Sequence, residues 1–88
     1  MPRYFFHIED GHSFRDEEGT VLPDIYTAQG EAVRLSGEVL RDLGAKFWDG
    51  TEWRLTVTDE GGAVLFVLRF SADEGAEVRH LPLPQGSR

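Results

Sequence analysis

One segment of the 88-residue sequence repeats its apolar side chains with the period of an α-helix, and the other patterned segments alternate like β-strands. The helical segment runs from Ile25 to Leu43, with Asp24 as the predicted N-cap and Gly44 as the predicted stop. Its apolar residues form one stripe, and its charged residues lie on the opposite side. A helix with one apolar face needs a partner surface, so the rest of the chain must supply a sheet.

Strand patterns lie on both sides of this helix. Before it, an aromatic and β-branched stretch ends at Asp10-Gly11, a pair that favours a tight hairpin turn. After it, two alternating stretches are separated by an acidic, glycine-containing turn. The order predicts an α+β fold, a ββαββ two-layer sandwich with a mostly antiparallel four-stranded sheet and one helix packed on one face. The predicted strands are residues 3–8, 12–16, 51–58 and 63–70.

The length is that of one small domain, which needs most of its apolar residues for its own core. We expect a single ββαββ domain over residues 1–72 and a flexible tail, acidic and then proline-rich, over residues 73–88. The sequence contains no cysteine. Disulfide frameworks, thiolate nucleophiles and cysteine-based metal centres are therefore excluded.

The charge balance bears on partners and location. Nine Lys and Arg against sixteen Asp and Glu give a net charge of -7, which argues against nucleic acid as a partner. The apolar stretch near the N-terminus is too short for a signal peptide or a membrane span, so we expect a cytoplasmic protein without a membrane partner. A regulatory partner whose acidic loops mimic nucleic acid is a further alternative that rests on net charge alone.

Several short motifs, taken in order, resemble a family of small bacterial proteins classed only as a domain of unknown function. The resemblance covers about residues 2–70, with departures at Gly30 and Gly37 inside the predicted helix. It implies the fold and a bacterial setting, and it assigns no activity or catalytic residue. The motifs are Pro-Arg-Tyr-Phe-Phe-His-Ile at 2–8, Asp-Gly at 10–11, Asp-Glu-Glu-Gly at 16–19, Leu-Pro-Asp at 22–24 and Val-Thr-Asp-Glu-Gly at 57–61.

The sheet face turned away from the helix is the predicted binding surface. Strand alternation gives this face an apolar centre with an arginine rim, which is typical of protein interfaces. The partner is another protein or a second copy stacked on the same face across a two-fold axis. Scattered exposed apolar residues without a binding role are the alternative. The predicted interface residues are Phe5, His7, Arg54, Leu65, Val67 and Arg69.

A metal site is the competing hypothesis, from a different functional class. If Asp10-Gly11 is a two-residue turn, His7, Glu9 and His12 share one face and are candidate ligands of a divalent ion. The protein would then be a small metal-binding protein or a metal-dependent enzyme; otherwise Glu9 and His12 form an exposed cross-strand pair. No serine lies in a recognisable nucleophile motif. We therefore favour a non-enzymatic interaction module and predict no cofactor.

Overall fold

The computed structural model describes residues 1–49 and 52–73. One helix packs on an antiparallel sheet, which confirms the predicted α+β class, and a short strand and a 3₁₀ helix are additional. The predicted tail, from residue 74 onward, lies outside the described residues. The elements are β1 (Arg3–Glu9), β2 (Ser13–Phe14), β3 (Thr20–Val21), α1 (Ile25–Leu43), the 3₁₀ helix (Gly44–Asp49), β4 (Trp53–Thr58) and β5 (Val64–Phe70).

The strands pair in the order β2-β1-β4-β5, and β3 also pairs with β1. All of these pairings are antiparallel. The short strands share one edge of β1: β3 pairs at Arg3 and Tyr4, and β2 pairs at Ile8 and Glu9. The long strands β1 and β4 are therefore central, and β5 forms the opposite edge.

The first hairpin has a different register from the predicted one. Glu9 lies opposite Ser13 rather than His12, so the loop is Asp10–His12 and the predicted two-residue turn is wrong. The loop bonds to itself: the Asp10 N–H donates to the His12 carbonyl at 3.1 Å, and the His12 N–H donates to Asp10 Oδ1 at 3.3 Å. Gly11 supplies the positive φ, +98°, that a longer loop of this kind requires.

The helix has the bounds that the sequence predicts. Asp24 Oδ1 accepts the Thr27 N–H at 2.8 Å and the Thr27 hydroxyl at 2.9 Å, which confirms the N-cap. Gly44 ends the helix with φ +53°. Neither helix of the described ranges is long and apolar enough to cross a membrane. The fully buried positions of α1 carry small side chains, which bring the helix close to the sheet; they are Ala28, Ala32 and Ser36.

The core lies between α1 and the two central strands. Tyr4 and Phe6 of β1 and the helix-facing residues of β4 are almost fully buried, whereas the helix-facing residues of β5 are half-buried, because β5 is the edge strand. A β-bulge shifts the register so that Val57 pairs with Phe66 while Thr58 pairs with Val64. Alternation without a bulge predicts Val64 in the core; instead it is 60% exposed. The buried core is Tyr4, Phe6, Ala28, Ala32, Trp53, Leu55 and Val57.

Candidate protein-binding face

The register of the sheet sets which side chains point away from α1. Phe5 lies opposite Thr58, His7 opposite Thr56 and Glu9 opposite Arg54, so these side chains share one surface. On the other side of β4, Thr56 is paired with Val67 and Arg54 with Arg69. We call this surface the open face. Its members are Phe5, His7, Glu9, Arg54, Thr56, Thr58, Val64, Val67 and Arg69.

Asp16 braces the loop that runs beside the open face. Its Oδ2 accepts the Phe6 N–H at 3.1 Å, and its Oδ1 accepts the N–H groups of Glu18 at 3.1 Å and Gly19 at 3.0 Å. Burial disfavours the charged form of Asp16, but these backbone donors outweigh it and hold the pKa of the carboxyl below its usual value. The carboxylate therefore fills the gap between β2 and β3 on the edge of β1.

His7 is fixed from both sides of its ring. The Asp16 N–H donates to His7 Nδ1 at 3.1 Å, and His7 Nε2 lies 3.1 Å from Thr58 Oγ1. Because a backbone N–H can only donate, the neutral ring carries its proton on Nε2 and donates it to Thr58. The Phe5 ring is parallel to the imidazole within 5°, with the centroids 6.4 Å apart. Hydrogen bonds at both ring nitrogens therefore fix the orientation of the His7 side chain on the open face.

The predicted arginine rim exists, and each arginine has an acidic neighbour. Arg54 forms an ion pair with Glu9, directly across from it on β1. The hydrogen bond and charge of Arg54 hold the pKa of the Glu9 carboxyl below its usual value. Arg69 Nε lies 4.0 Å from Glu52 Oε2. The rim of the open face is therefore balanced in charge and remains polar.

A groove of about 330 Å³ crosses the open face between the β1–β2 hairpin and the start of β5. Val64 forms part of its wall with 60% of its surface exposed. Both apolar and polar side chains line the groove. The remaining lining residues are His7, Ile8, Glu9, Ser13, Phe14, Arg15, Thr56, Thr58 and Gly62.

The predicted metal ligands are not brought together. His12 lies in the hairpin loop instead of opposite Glu9, and the two ring nitrogens of His7 already have partners. Within residues 1–49 and 52–73, no group of three or more His, Cys, Asp or Glu side chains is arranged to hold a metal ion. The metal hypothesis required a hairpin register with Glu9 opposite His12, and the hairpin does not have that register.

The predicted interface residues are placed together, with one exception. Phe5, His7, Arg54, Val67 and Arg69 lie on the open face, and Leu65 lies at the bulge with 37% of its surface exposed. Sequence reasoning missed the groups that complete the surface. The Asp-x-x-Gly spacing at 16–19 is a signal that could have identified the brace, since Asp side chains often accept N–H groups of the residues that follow. The missed features are Glu9 as the ion-pair partner of Arg54, Asp16 as the brace, Thr58 as the hydrogen-bond partner of His7, and the exposed position of Val64.

Comparisons with known proteins give a family without an assigned activity. No curated protein and no solved structure matches the chain. One family model matches residues 3–71, and its description is "Domain of unknown function (DUF6894)". This match covers most of the chain, including β1 to β5 and the whole of the open face. The chain therefore belongs to the DUF6894 family.

Proposed function

We propose that this protein is a non-enzymatic interaction module that binds another protein through its open face. One observation carries the proposal. Within residues 1–49 and 52–73, α1 packs on one face of the sheet and no element packs on the other. The side away from the helix combines the half-buried aromatic pair Phe5 and His7 with half-buried Val67 and a charge-balanced rim. An apolar centre inside a polar rim is the usual anatomy of a protein interface.

The chemistry of the polar groups favours binding over catalysis. The Asp16 carboxylate accepts backbone N–H groups, and both nitrogens of His7 have hydrogen-bond partners. These side chains hold the shape of the surface, as the supporting groups of a pre-organised binding site do. We further propose a bacterial cytoplasmic setting; the resemblance of residues 2–8 to a bacterial family supports the bacterial part.

Site-specific photo-crosslinking in the native cells tests this proposal. A photoreactive residue replaces Val64, which lines the groove on the open face, or Val33, which lies on the outer side of α1. The two valines are matched in exposure, at 60% and 62%. We expect discrete adducts with another protein from the Val64 position and none from the Val33 position, because only the first lies beside the proposed interface.

A blocking variant makes this experiment specific. Thr56→Lys adds a charged side chain at the centre of the open face, on β4 between His7 and Val67. We expect it to remove the adducts formed from Val64, since a partner on the open face would have to bury the added lysine charge, and removing a charge from water is costly. Adducts that persist in the Thr56→Lys variant, adducts only from Val33, or no adduct at all would contradict the proposed function.

A further inference from the structure

The two edges of the sheet differ in how far their backbone N–H and C=O groups are already paired. The outer edge of β1 is occupied at both ends, by β3 at Tyr4 and by β2 at Ile8. Between them, the Phe6 N–H donates to the Asp16 carboxylate, and the Asp16 N–H donates to the His7 ring. Backbone groups that an incoming strand would need are thus already used. This is how natural proteins protect a sheet edge.

The opposite edge, β5, has no comparable protection. Among the described residues β4 is its only partner, so its outer row of N–H and C=O groups is free to pair. Its sequence, VLFVLRF, spans seven residues with no proline and one charge, Arg69. A long, apolar edge strand of this kind is a template for another extended strand. The bulge near Leu65 disturbs only its start and leaves Phe66–Phe70 regular.

The apolar core is also incompletely covered along β5. Phe66, Leu68 and Phe70 pack against the core but are only half-buried, whereas their partners on β4 are at most 1% exposed. Those partners are Val57, Leu55 and Trp53. The edge therefore presents unpaired backbone groups and an incomplete apolar row side by side. An occupant must supply both an extended strand and apolar side chains in the same layer.

We propose that this occupant is a second copy of the chain, joined by antiparallel pairing of the two β5 strands about a two-fold axis. The second copy supplies the required strand and the required apolar row, because the two edges are identical. The regular stretch Phe66–Phe70 has Leu68 at its midpoint, so each Leu68 lies opposite its counterpart. Phe66 then lies opposite Phe70 of the second copy, and the two apolar rows merge into one layer beneath the two helices.

Edge pairing fits the charges better than stacking of the open faces. Stacking would remove the Glu9–Arg54 ion pair and Arg69 of both copies from water, twice as many of these charges as one copy loses when a different protein binds its open face. Edge pairing leaves them in solvent and leaves both open faces free for another protein. The inference thus concerns a different surface from the proposed function, and either can fail without the other. The net charge of -7 on each copy opposes association, so we expect tighter dimers at higher salt.

Charge variants at Val67 test the pairing and its register by sedimentation equilibrium of the full chain. In the proposed register Val67 lies opposite Arg69 of the second copy, and the two-fold axis creates this pair twice. Val67→Lys places like charges opposite each other and should raise the dimer dissociation constant roughly 2- to 30-fold. Val67→Glu, an equally polar change at the same site, should lower it or leave it unchanged. If Val67 were instead buried between two stacked open faces, both substitutions should raise the dimer dissociation constant.

The matched control is Thr56→Lys, because Thr56 lies directly opposite Val67 on the same face but on central strand β4. We expect its dimer to match the wild type. Equal weakening by Thr56→Lys and Val67→Lys would overturn the edge proposal in favour of stacked faces. Sedimentation at the mass of one copy, 9.9 kDa, at concentrations up to roughly 1 mM would overturn self-association altogether.

Disulfide trapping gives an independent readout, since the natural sequence contains no cysteine. Leu68→Cys places two thiols opposite each other across the two-fold axis, within the separation that a disulfide spans. Mild oxidation should yield a covalent dimer of this variant. Thr20→Cys on β3, at the protected edge, should stay monomeric under the same conditions. A folded Leu68→Cys variant, checked by circular dichroism, that crosslinks no faster than Thr20→Cys would contradict the register.

Discussion

Replacing Gly19 with alanine should lower the free energy of unfolding by about 2 to 4 kcal/mol. Gly19 has φ +72°, and a Cβ atom there would lie 2.8 Å from Arg3 Cγ, 2.9 Å from Phe5 Cε2 and 3.0 Å from the Tyr4 carbonyl oxygen. The left-handed backbone and the overpacking both penalise alanine, and the Tyr4 carbonyl belongs to β1 and cannot move away easily. Urea unfolding monitored by circular dichroism measures the change.

Gly30→Ala is the matched control for this substitution. Gly30 lies within α1, and a Cβ atom there would meet nothing within 4 Å. Alanine should therefore stabilise the protein by up to about 1 kcal/mol, through its better helix propensity. The two substitutions add the same methyl group and should change stability in opposite directions. Equal effects, or a stable Gly19→Ala variant, would show that the loop does not pack against β1 as described.

Replacing Asp16 with asparagine should cost about 1 to 3 kcal/mol of stability at neutral pH. The carboxylate accepts N–H groups with both oxygens, and an amide has only one oxygen to offer. The NH₂ group of asparagine then faces either the Phe6 N–H or the N–H groups of Glu18 and Gly19, which lose their acceptor. Glu17→Gln, which removes the same charge from the exposed neighbouring residue, should change stability much less.

The Asp16→Asn variant should also change the pH dependence of stability. The folded state lowers the pKa of Asp16, so its contribution is fully present above the unfolded value of about 3.9 and is lost as pH falls through the folded value. The wild type should therefore lose more unfolding free energy than Asp16→Asn between neutral pH and acid. Chemical denaturation at a series of pH values tests this. Parallel curves for the two proteins would exclude Asp16 as the brace.

The helix and its caps could be predicted because their determinants are local. Asp24 caps the N–H of Thr27, three residues along the chain, and Gly44 takes the backbone conformation that ends a helix. The faces of β1 and β4 could be predicted for the same reason: alternation assigned Phe5 and His7 to the open face without knowledge of any partner.

The remaining features depend on how the strands pair with one another. The β1–β2 register follows from how the Asp10–His12 loop closes, and one residue more in the loop moves His12 away from Glu9. The bulge that exposes Val64 arises where β5 meets Thr58 on β4. Strand β3 forms because its two residues pair with the edge of β1. No local pattern around Thr20 predicts this pairing.

Methyl NMR of the chain, titrated with the partner captured from the Val64 position, tests the central claim most directly. The claim is that the open face, and not the outer side of α1, binds the other protein. Methyl signals of Val64 and Val67 should shift or broaden on binding, while those of Val33 stay unchanged. Shifts confined to Val33 and its neighbours on α1, with Val64 and Val67 unaffected, would contradict the account.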